Sequence, residues 1–573
     1  MSARTARSDR SARSDRSARS GRTARTTTKA HTGVQHAEPG TGTASAPREF
    51  DHSRAPVLDA LARYKRGMHG RNFSPPGHKQ GGGADPRVLD VLGADVFASD
   101  VLAMSGLDDR RMSNEVLGQA QELMADAVDA EHTYFSTCGS SLSVKSAMLA
   151  VAGPYEKLLV ARNAHKSVVS GLVLAGIDPV WVEPRWDEGA HLAHPPGPQE
   201  VADAFDREPD AKGMVLITPT AYGTCADING VAGVCHERGR PLIVDEAWGA
   251  HLPFHPDLPS WAMDAGADVC VTSVHKMGAG LEQGSVFHLQ GSLVDPTVLK
   301  LREDLLGTTS PSVLMYAALD GWRRQMVQHG KELLDGALSS AAGLRQEISA
   351  LPGLETLSSR LVGPGPAFEH DPLVLVVDVS GLETSGYAVA DRLREEFGVN
   401  VGLADHRRVI ANVTHADDEA SASALLEALT AVSSRRGALP PPAAVRLPRP
   451  AELRLESVML PRDAYFGPVE QVPVEEAVGR VAAEHASPYP PGVPVVVPGE
   501  RIGQAVVEYL RTGVEATMYV PDTADPSLRT MRVVANDAAG RASRGSSGAQ
   551  DRRDGTAEPG GPGGEAGGGA KGA

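Results

Sequence analysis

The sequence predicts an α/β protein built on a mostly parallel sheet, followed by a smaller α+β unit and a third unit near the C-terminus. Three observations lead there. Four short runs, Leu158–Ala161, Met214–Thr218, Leu242–Asp245 and Val269–Ser273, are rich in β-branched residues and nearly continuous in hydrophobicity. Strands of a parallel sheet covered on both faces read this way. The segments between them, such as 140–152 and 227–239, carry a helical period, and strand–helix alternation places crossover helices on the sheet. Beyond residue 330 the order changes to a long helix pattern near Lys331–Leu351, a strand at 372–380, a helix at 385–398 and the short run "VNVGL".

Taken in chain order, residues 1–48 are low in complexity, with Arg at every third position from Arg4 to Arg25. No core can form from such a segment, so a disordered basic tail is expected. A lead-in and the larger α/β unit occupy 49–330, and the smaller unit 331–438. The Pro-rich stretch "LPPPAAVRLPRP" (439–450) is a linker to a third unit at 451–536. Residues 537–573 end in a Gly-rich run and read as a second flexible tail.

Composition removes several classes. Four cysteines in 573 residues, none in CxxC spacing, support neither a disulfide scaffold nor a zinc ribbon, and no metal is expected. No apolar run reaches about 18 residues and no apolar stretch opens the chain, so neither a membrane span nor a secretory signal is predicted, and a cytoplasmic location is expected. Residues 1–30 hold eight Arg and one Lys against two Asp, a net of +7, while the whole chain carries −16, which leaves −23 on the remainder. An acidic body argues against nucleic acid as a partner of the core.

In open α/β sheets ligands bind beyond the carboxyl ends of the strands, so the residues that follow each strand matter most. After "TYFST" come Cys138, Gly139, Ser140 and Ser141, opening a helix. A Gly-Ser-Ser turn at a helix N-terminus offers free N–H groups and hydroxyls to an anion such as phosphate, although serine there is also an ordinary cap. His165 follows the second strand, and its ring can lie on a planar ligand or simply satisfy a turn. Asp245 ends a buried strand, where a lone carboxylate is costly and calls for a cationic partner such as a protonated ring nitrogen, or caps the next turn. Lys276 follows the strand "DVCVTS" between Ser273, His275 and Met277. An amine at a poorly solvated strand end loses its proton readily and can attack a carbonyl. Phosphate cradle, ring-stacking imidazole, ring-nitrogen carboxylate and nucleophilic lysine together form the set of handles for pyridoxal 5'-phosphate.

These residues lie in longer motifs. "FSPPGHKQG" (73–81), "STCGSS" (136–141), "ARNAHKSV" (161–168), "TPTAYGT" (218–224), "DEAWGAH" (245–251), "SVHKMGAGLEQGS" (273–285), "TTSPS" (308–312) and "AAEHASPYPPGVPVVVPGE" (482–500) resemble, in order, the motifs of the ornithine/lysine/arginine decarboxylase family over about residues 54–535. The last motif is the most discriminating. Met277, Cys138 and Ala221 depart from residues frequent at those positions. With only the basic tail and a short lead-in ahead of "FSPPGHK", the sequence resembles the shorter branch that lacks a receiver-like wing domain.

The resemblance implies the aspartate-aminotransferase fold (fold type I of pyridoxal-phosphate enzymes), with a mostly parallel seven-stranded sheet and a C-terminal decarboxylase domain. It implies that Lys276 is the Schiff-base lysine, that Asp245 pairs with the pyridinium nitrogen and that His165 stacks on the ring. Gly139, Ser140, Ser141, Ser273 and His275 then hold the phosphate, and Ala247 and Trp248 line the other side of the ring. The implied reaction is decarboxylation of arginine, lysine or ornithine to an amine and CO₂, with Lys276 or His275 returning a proton to Cα. A homodimer or higher homo-oligomer is implied. For the substrate's distal cation, the acidic candidates are Asp100, Asp108, Asp109, Glu484 and Glu500. On residues alone, transamination, aldol-type cleavage on the same cofactor, and a catalytically inactive relative stay open as alternatives.

Overall fold

The computed structural model describes residues 50–67, 72–103, 107, 116–363, 365–489 and 491–536. Both expected tails lie outside the described residues. So do Asp108 and Asp109.

The larger unit is organised by a seven-stranded sheet. Its strands are β1 (His132–Ser136), β2 (Lys157–Ala161), β3 (Asp178–Val182), β4 (Met214–Ile217), β5 (Leu242–Asp245), β6 (Val269–Ser273) and β7 (Ser285–Leu289). They lie in the order β1-β7-β6-β5-β4-β2-β3. Neighbours from β3 across to β6 pair in parallel, and β7 runs antiparallel to both β6 and β1. The four runs recognised from hydrophobicity are β2, β4, β5 and β6, at the centre of the sheet, where every residue of β4, β5 and β6 is buried. The edge strand β3 ("DPVWV") is half-buried along most of its length and contains Pro179, which is why its pattern is weaker.

Helices α1 (Ser140–Val151), α2 (Lys166–Ala175) and α3 (Ile228–Glu237) follow β1, β2 and β4 and cover the sheet. Because β1, β2, β5 and β6 share one direction, their carboxyl ends deliver Ser140, His165, Asp245 and Lys276 to the same edge. The register adds a serine row there, with Ser136 opposite Ser285 and Ser285 opposite Ser273.

Helix α4 runs unbroken from Val313 to Ser349. It starts well before Lys331 and crosses position 330, where a boundary was expected. The apolar period fails in its first half because Asp320 and Arg323, both fully buried, occupy core positions as an ion pair at 2.9 Å. Asp320 also accepts from the Val57 N–H, and Arg323 donates to the carbonyls of His52 and Arg54. The pair thus ties the first described segment to the helix.

The smaller sheet contains β8 (Glu355–Thr356), β9 (Val374–Asp378), β10 (Leu403–Ala404) and β11 (Arg408–Asn412), all antiparallel, in the order β8-β9-β11-β10. Strand β9 is buried on both faces: Leu375 and Val377 enter the main core, whereas Val374 and Val376 join a satellite cluster with Leu403 and Ile410, against which Trp248 and Tyr222 pack. The period of two thereby presses this sheet on the turn that carries Trp248. Helices α5 (Gly386–Phe397) and α6 (Glu419–Ser434) complete it.

Residues 469–534 close the described chain with a β12 (Val469–Pro473)–β13 (Thr530–Val534) pair, helix α7 (Gln504–Glu515) and a core of their own around Val496, Val506, Leu510, Met531 and Val533. Among the described residues no helix is long and apolar enough to cross a membrane.

Candidate active site

Beyond β1, Gly139 adopts φ +74°, and helix α1 opens at Ser140 with no side chain capping it. That leaves first-turn N–H groups, the positive end of the helix dipole and the exposed Ser141 hydroxyl facing outward. Across the sheet edge Ser273 Oγ donates to Ser140 Oγ at 2.7 Å, which joins the ends of β6 and β1 in one hydroxyl cluster.

Beyond β5, Asp245 is buried, and its Oδ1 accepts the Ala247 N–H at 3.3 Å. Burial pushes its carboxyl above the usual range, while the charge of Lys276 and that hydrogen bond pull it back. Lys276, beyond β6, is its counterpart: burial lowers the amine and Asp245 raises it again. Lys276 Nζ stands 4.2 Å from the centre of the Trp248 ring and has no hydrogen-bonding partner among the described residues. Desolvation therefore disfavours the charged amine, while the Trp248 ring face and the Asp245 carboxylate favour it.

His165 caps α2. The Ser167 backbone N–H donates to its Nδ1 at 3.3 Å, and the Ser167 hydroxyl lies 2.9 Å from the same atom. A backbone N–H only donates, so Nδ1 carries the lone pair and Nε2 the proton. Burial first, then the charges of Lys276 and Lys166, hold this imidazole down to about 4, so it is neutral near pH 7. His275 Nδ1 lies 3.1 Å from the Gly284 carbonyl, which only accepts, so Nδ1 carries a proton and Nε2 is the ring nitrogen outside that bond.

The C-terminal unit reaches this edge. The Lys166 N–H donates to the Gly492 carbonyl at 3.0 Å, and Lys166 Nζ pairs with Asp522 at 2.6 Å. Arg162 donates to the Pro494 carbonyl at 2.6 Å and to Glu500 at 3.2 Å while lying over Trp181. Gly492 has φ +86°, and a Cβ there would meet His165 Nε2 and Tyr489 Cδ2, each at 3.2 Å. A glycine is required at this point both by the left-handed backbone and by the approach of the two rings.

Comparison with known proteins places this arrangement. A family model described as "Orn/Lys/Arg decarboxylase, major domain" matches residues 55–364, and one described as the C-terminal domain of the same family matches residues 449–522. The chain belongs to the Orn/Lys/Arg decarboxylase family. It is 35% identical to an arginine decarboxylase of Halalkalibacterium halodurans over 82% of this chain and 95% of that protein. It is 34% identical to an arginine decarboxylase of Bacillus subtilis over 82% and 95%. Its fold matches that of the constitutive lysine decarboxylase of E. coli with a TM-score of 0.69, 21% identity and coverage of 84% and 82% of the two chains. The protein is an amino acid decarboxylase with the mostly parallel α/β fold expected.

In the decarboxylase, Ser140, Ser273, Asp245, Trp248, Lys276 and His165 come together from four strand ends, with Gly139, Ser141, Ala247 and His275 on the same turns. The described acidic candidates for a distal cation, Glu500, Glu484 and Asp100, are engaged by other partners. Glu500 is 2% exposed and spent on Arg162, with a further hydrogen bond from the Val497 N–H. Glu484 is 4% exposed and accepts the N–H groups of Ala524 and Arg532, both at 2.7 Å. Asp100 lies 3.1 Å from His78 in the lead-in. Glu484 therefore braces its own unit, whereas Glu500 ties that unit to Arg162 of the larger one. Residue type alone marked them, and their partners are distant in sequence.

Sequence reasoning missed Gly492, Lys166 and Asp522. The signal available was the glycine within "YPPGVP", whose need for a positive φ is invisible without its neighbours. Replacing Gly492 with alanine is expected to lower stability by about 1–2 kcal/mol from the left-handed backbone alone. It should also reduce turnover severalfold, because the new methyl displaces the His165 ring. Thermal melts and steady-state kinetics on the same preparation check both.

Several imidazoles besides His165 are held low by burial. His191 and His370 are pushed down to about 4, and His288, which sits 2.8 Å from Thr133 Oγ1 and edge-on to Trp261, to about 3. Between the folded values and the ordinary 6.5 these rings are neutral in the fold and charged in the unfolded chain. Their contribution to stability is complete above pH 6.5 and falls as pH drops through that window towards 4. At pH 5 the four should take up about three to four protons on unfolding. Denaturant midpoints measured from pH 7.5 to 4.5 are expected to fall steadily. A flat profile contradicts the burial of these rings.

Proposed function

We propose that the protein is a pyridoxal-phosphate-dependent decarboxylase of a basic amino acid, with arginine the first substrate to test and lysine and ornithine after it. The observation that carries this reading is the meeting of a partnerless, desolvated Lys276 amine with the buried Asp245 carboxylate at one sheet edge, beside an uncapped helix N-terminus. The residues fit the cofactor on chemical grounds. An anion cradle, a buried acid, a neutral imidazole and a free amine match a phosphate, a basic ring nitrogen, a flat ring and an aldehyde in turn. The names of the relatives at 33–35% identity, all arginine decarboxylases, support arginine.

When bound, the cofactor supplies an electron sink for the pair left on the substrate's Cα as CO₂ departs. The chain's own residues do the rest. The N–H groups at the start of α1, with Ser140, Ser141 and Ser273, hold the phosphate and fix the ring's position. Asp245 keeps a positive charge on the ring nitrogen, because a fully desolvated carboxylate gains most from a cation beside it. His165, neutral and with Nε2–H turned to Gly492, lays its face against the ring, and Trp248 bounds the space by Lys276.

Lys276 would hold the aldehyde through its amine, and in its protonated form it would carry the proton returned to Cα. His275 Nε2, whose orientation is fixed through the Gly284 carbonyl, is the alternative donor. Trp248 packs with Tyr222 against the small sheet's cluster, which fixes the wall beside Lys276. A homo-oligomer and a small-molecule substrate are proposed with the same activity, as the resemblance to the family implies.

The test is release of CO₂ and of the matching amine from arginine, lysine and ornithine by the protein reconstituted with pyridoxal phosphate. Release from at least one is expected. Transfer of the amino group without loss of the carboxyl carbon contradicts the reading.

A further inference from the structure

Between the small sheet and the C-terminal unit lies a cavity of about 390 Å³ whose walls include Tyr387, Asp391, Arg394, Asn400, Tyr489 and Tyr519. Two features organise it. Tyr489 and Tyr519 are opposed in an isolated antiparallel bridge, with the Tyr489 N–H donating to the Tyr519 carbonyl at 2.8 Å, so both rings leave the same face. They are 45% and 58% exposed, large aromatic surfaces left uncovered side by side. Opposite them, Tyr387, Asp391 and Arg394 stand at i, i+4 and i+7 of α5, which puts them on one face of that helix, towards the tyrosines. The inner end of the cleft adjoins the reaction site, since the Tyr489 ring and the His165 imidazole flank Gly492.

We propose that this cleft binds an alkylguanidinium or alkylammonium group, stacked against the Tyr489 and Tyr519 rings and paired with Asp391. Ring faces attract such cations, planar guanidinium above all. The site already accommodates that chemistry: Arg394 holds Asp391 across the solvent-exposed helix surface, and Lys166 Nζ lies 5.7 Å from the centre of the Tyr489 ring. An exposed ion pair such as Asp391–Arg394 contributes little by itself, so a ligand cation can share or replace it. The group has two sources, the distal end of the amino acid substrate or a separately bound amine. The first rests on the decarboxylase reading above; the second does not.

The experiment uses the full-length holoenzyme with agmatine as the probe, by calorimetry, in the wild type and in Tyr519→Ala, Tyr519→Phe and Asp391→Asn. Tyr519→Ala and Asp391→Asn are each expected to weaken agmatine binding about tenfold, while Tyr519→Phe, which keeps the ring, retains it. If agmatine competes with arginine and the KM for arginine rises in step, more than kcat falls, the cleft seats the substrate's own distal cation. If inhibition is not competitive and KM stays, the cleft is a separate amine site. Both results support the proposal. Unchanged affinity in both weakening variants, or no binding to the wild type, overturns it. Agmatine binding sensitive to Tyr519 and Asp391 in a protein that releases no CO₂ overturns the decarboxylase reading and leaves the cleft standing. CO₂ release with unaltered variants does the reverse.

Discussion

Replacing Lys276 with alanine is expected to lower decarboxylation by about 10⁴-fold or more, because one side chain supplies both the attachment point of the cofactor and a proton for Cα. The fold should survive. Lys276 is a desolvated amine with no hydrogen-bonding partner, resting on Trp248, so its removal relieves a buried cation at the cost of some contact area. Asp245 loses its opposing charge in the variant and its carboxyl rises further, which should also weaken cofactor binding. Lys276→Arg is the informative companion. It keeps the positive charge beside Asp245 but cannot give up a proton to become a nucleophile. Activity is expected to stay absent, and recovery in Lys276→Arg contradicts the nucleophilic role.

The second large effect is expected at Asp245. Asparagine keeps the shape and still accepts the Ala247 N–H, so folding is little disturbed. What is lost is the negative charge at the end of β5. A preorganised charge in a site closed to water is worth about 3–4 kcal/mol to a developing opposite charge, which corresponds to a fall in kcat of about 10²–10³. The affinity for the cofactor should fall with it. Glutamate, with its charge retained but one methylene too many for a buried position, is expected to recover only part of the rate. Equal activity of the Asp245→Asn and parent enzymes contradicts the pairing.

The residues of the reacting edge were legible because each follows a strand whose apolar run is unmistakable. Strands β2, β4, β5 and β6 are central, so both faces select apolar residues and the runs are continuous. Polar groups such as Asp245 and Lys276 then stand out where such a run ends. Strand β7 escaped notice because "SVFHL" follows directly on the glycine-rich turn after Lys276 and carries a buried His288. The early half of α4 was hidden by Asp320 and Arg323, which place an ion pair where a helix period expects apolar side chains. The two-residue strands β8 and β10 are too short to show any period.

Partnership was much harder to see than position. Glu500 and Glu484 looked free to read a substrate cation, and only the fold shows that Arg162 and two backbone N–H groups already use them. Gly492 meets His165 from more than three hundred residues away, and nothing local to either residue announces it. The same holds for the tyrosine-lined cleft, where Tyr387 on α5 faces two tyrosines of the C-terminal unit.

The central claim is that the Lys276 amine holds the cofactor beside Asp245. The most direct measurement is to treat the holoenzyme with borohydride, digest it and locate the pyridoxyl mass by peptide sequencing. The expected result is a single modified peptide, with the added mass on Lys276 and none in the Asp245→Asn apoprotein treated at the same low cofactor concentration. Modification of a different lysine, with Lys276 recovered unaltered, contradicts the account.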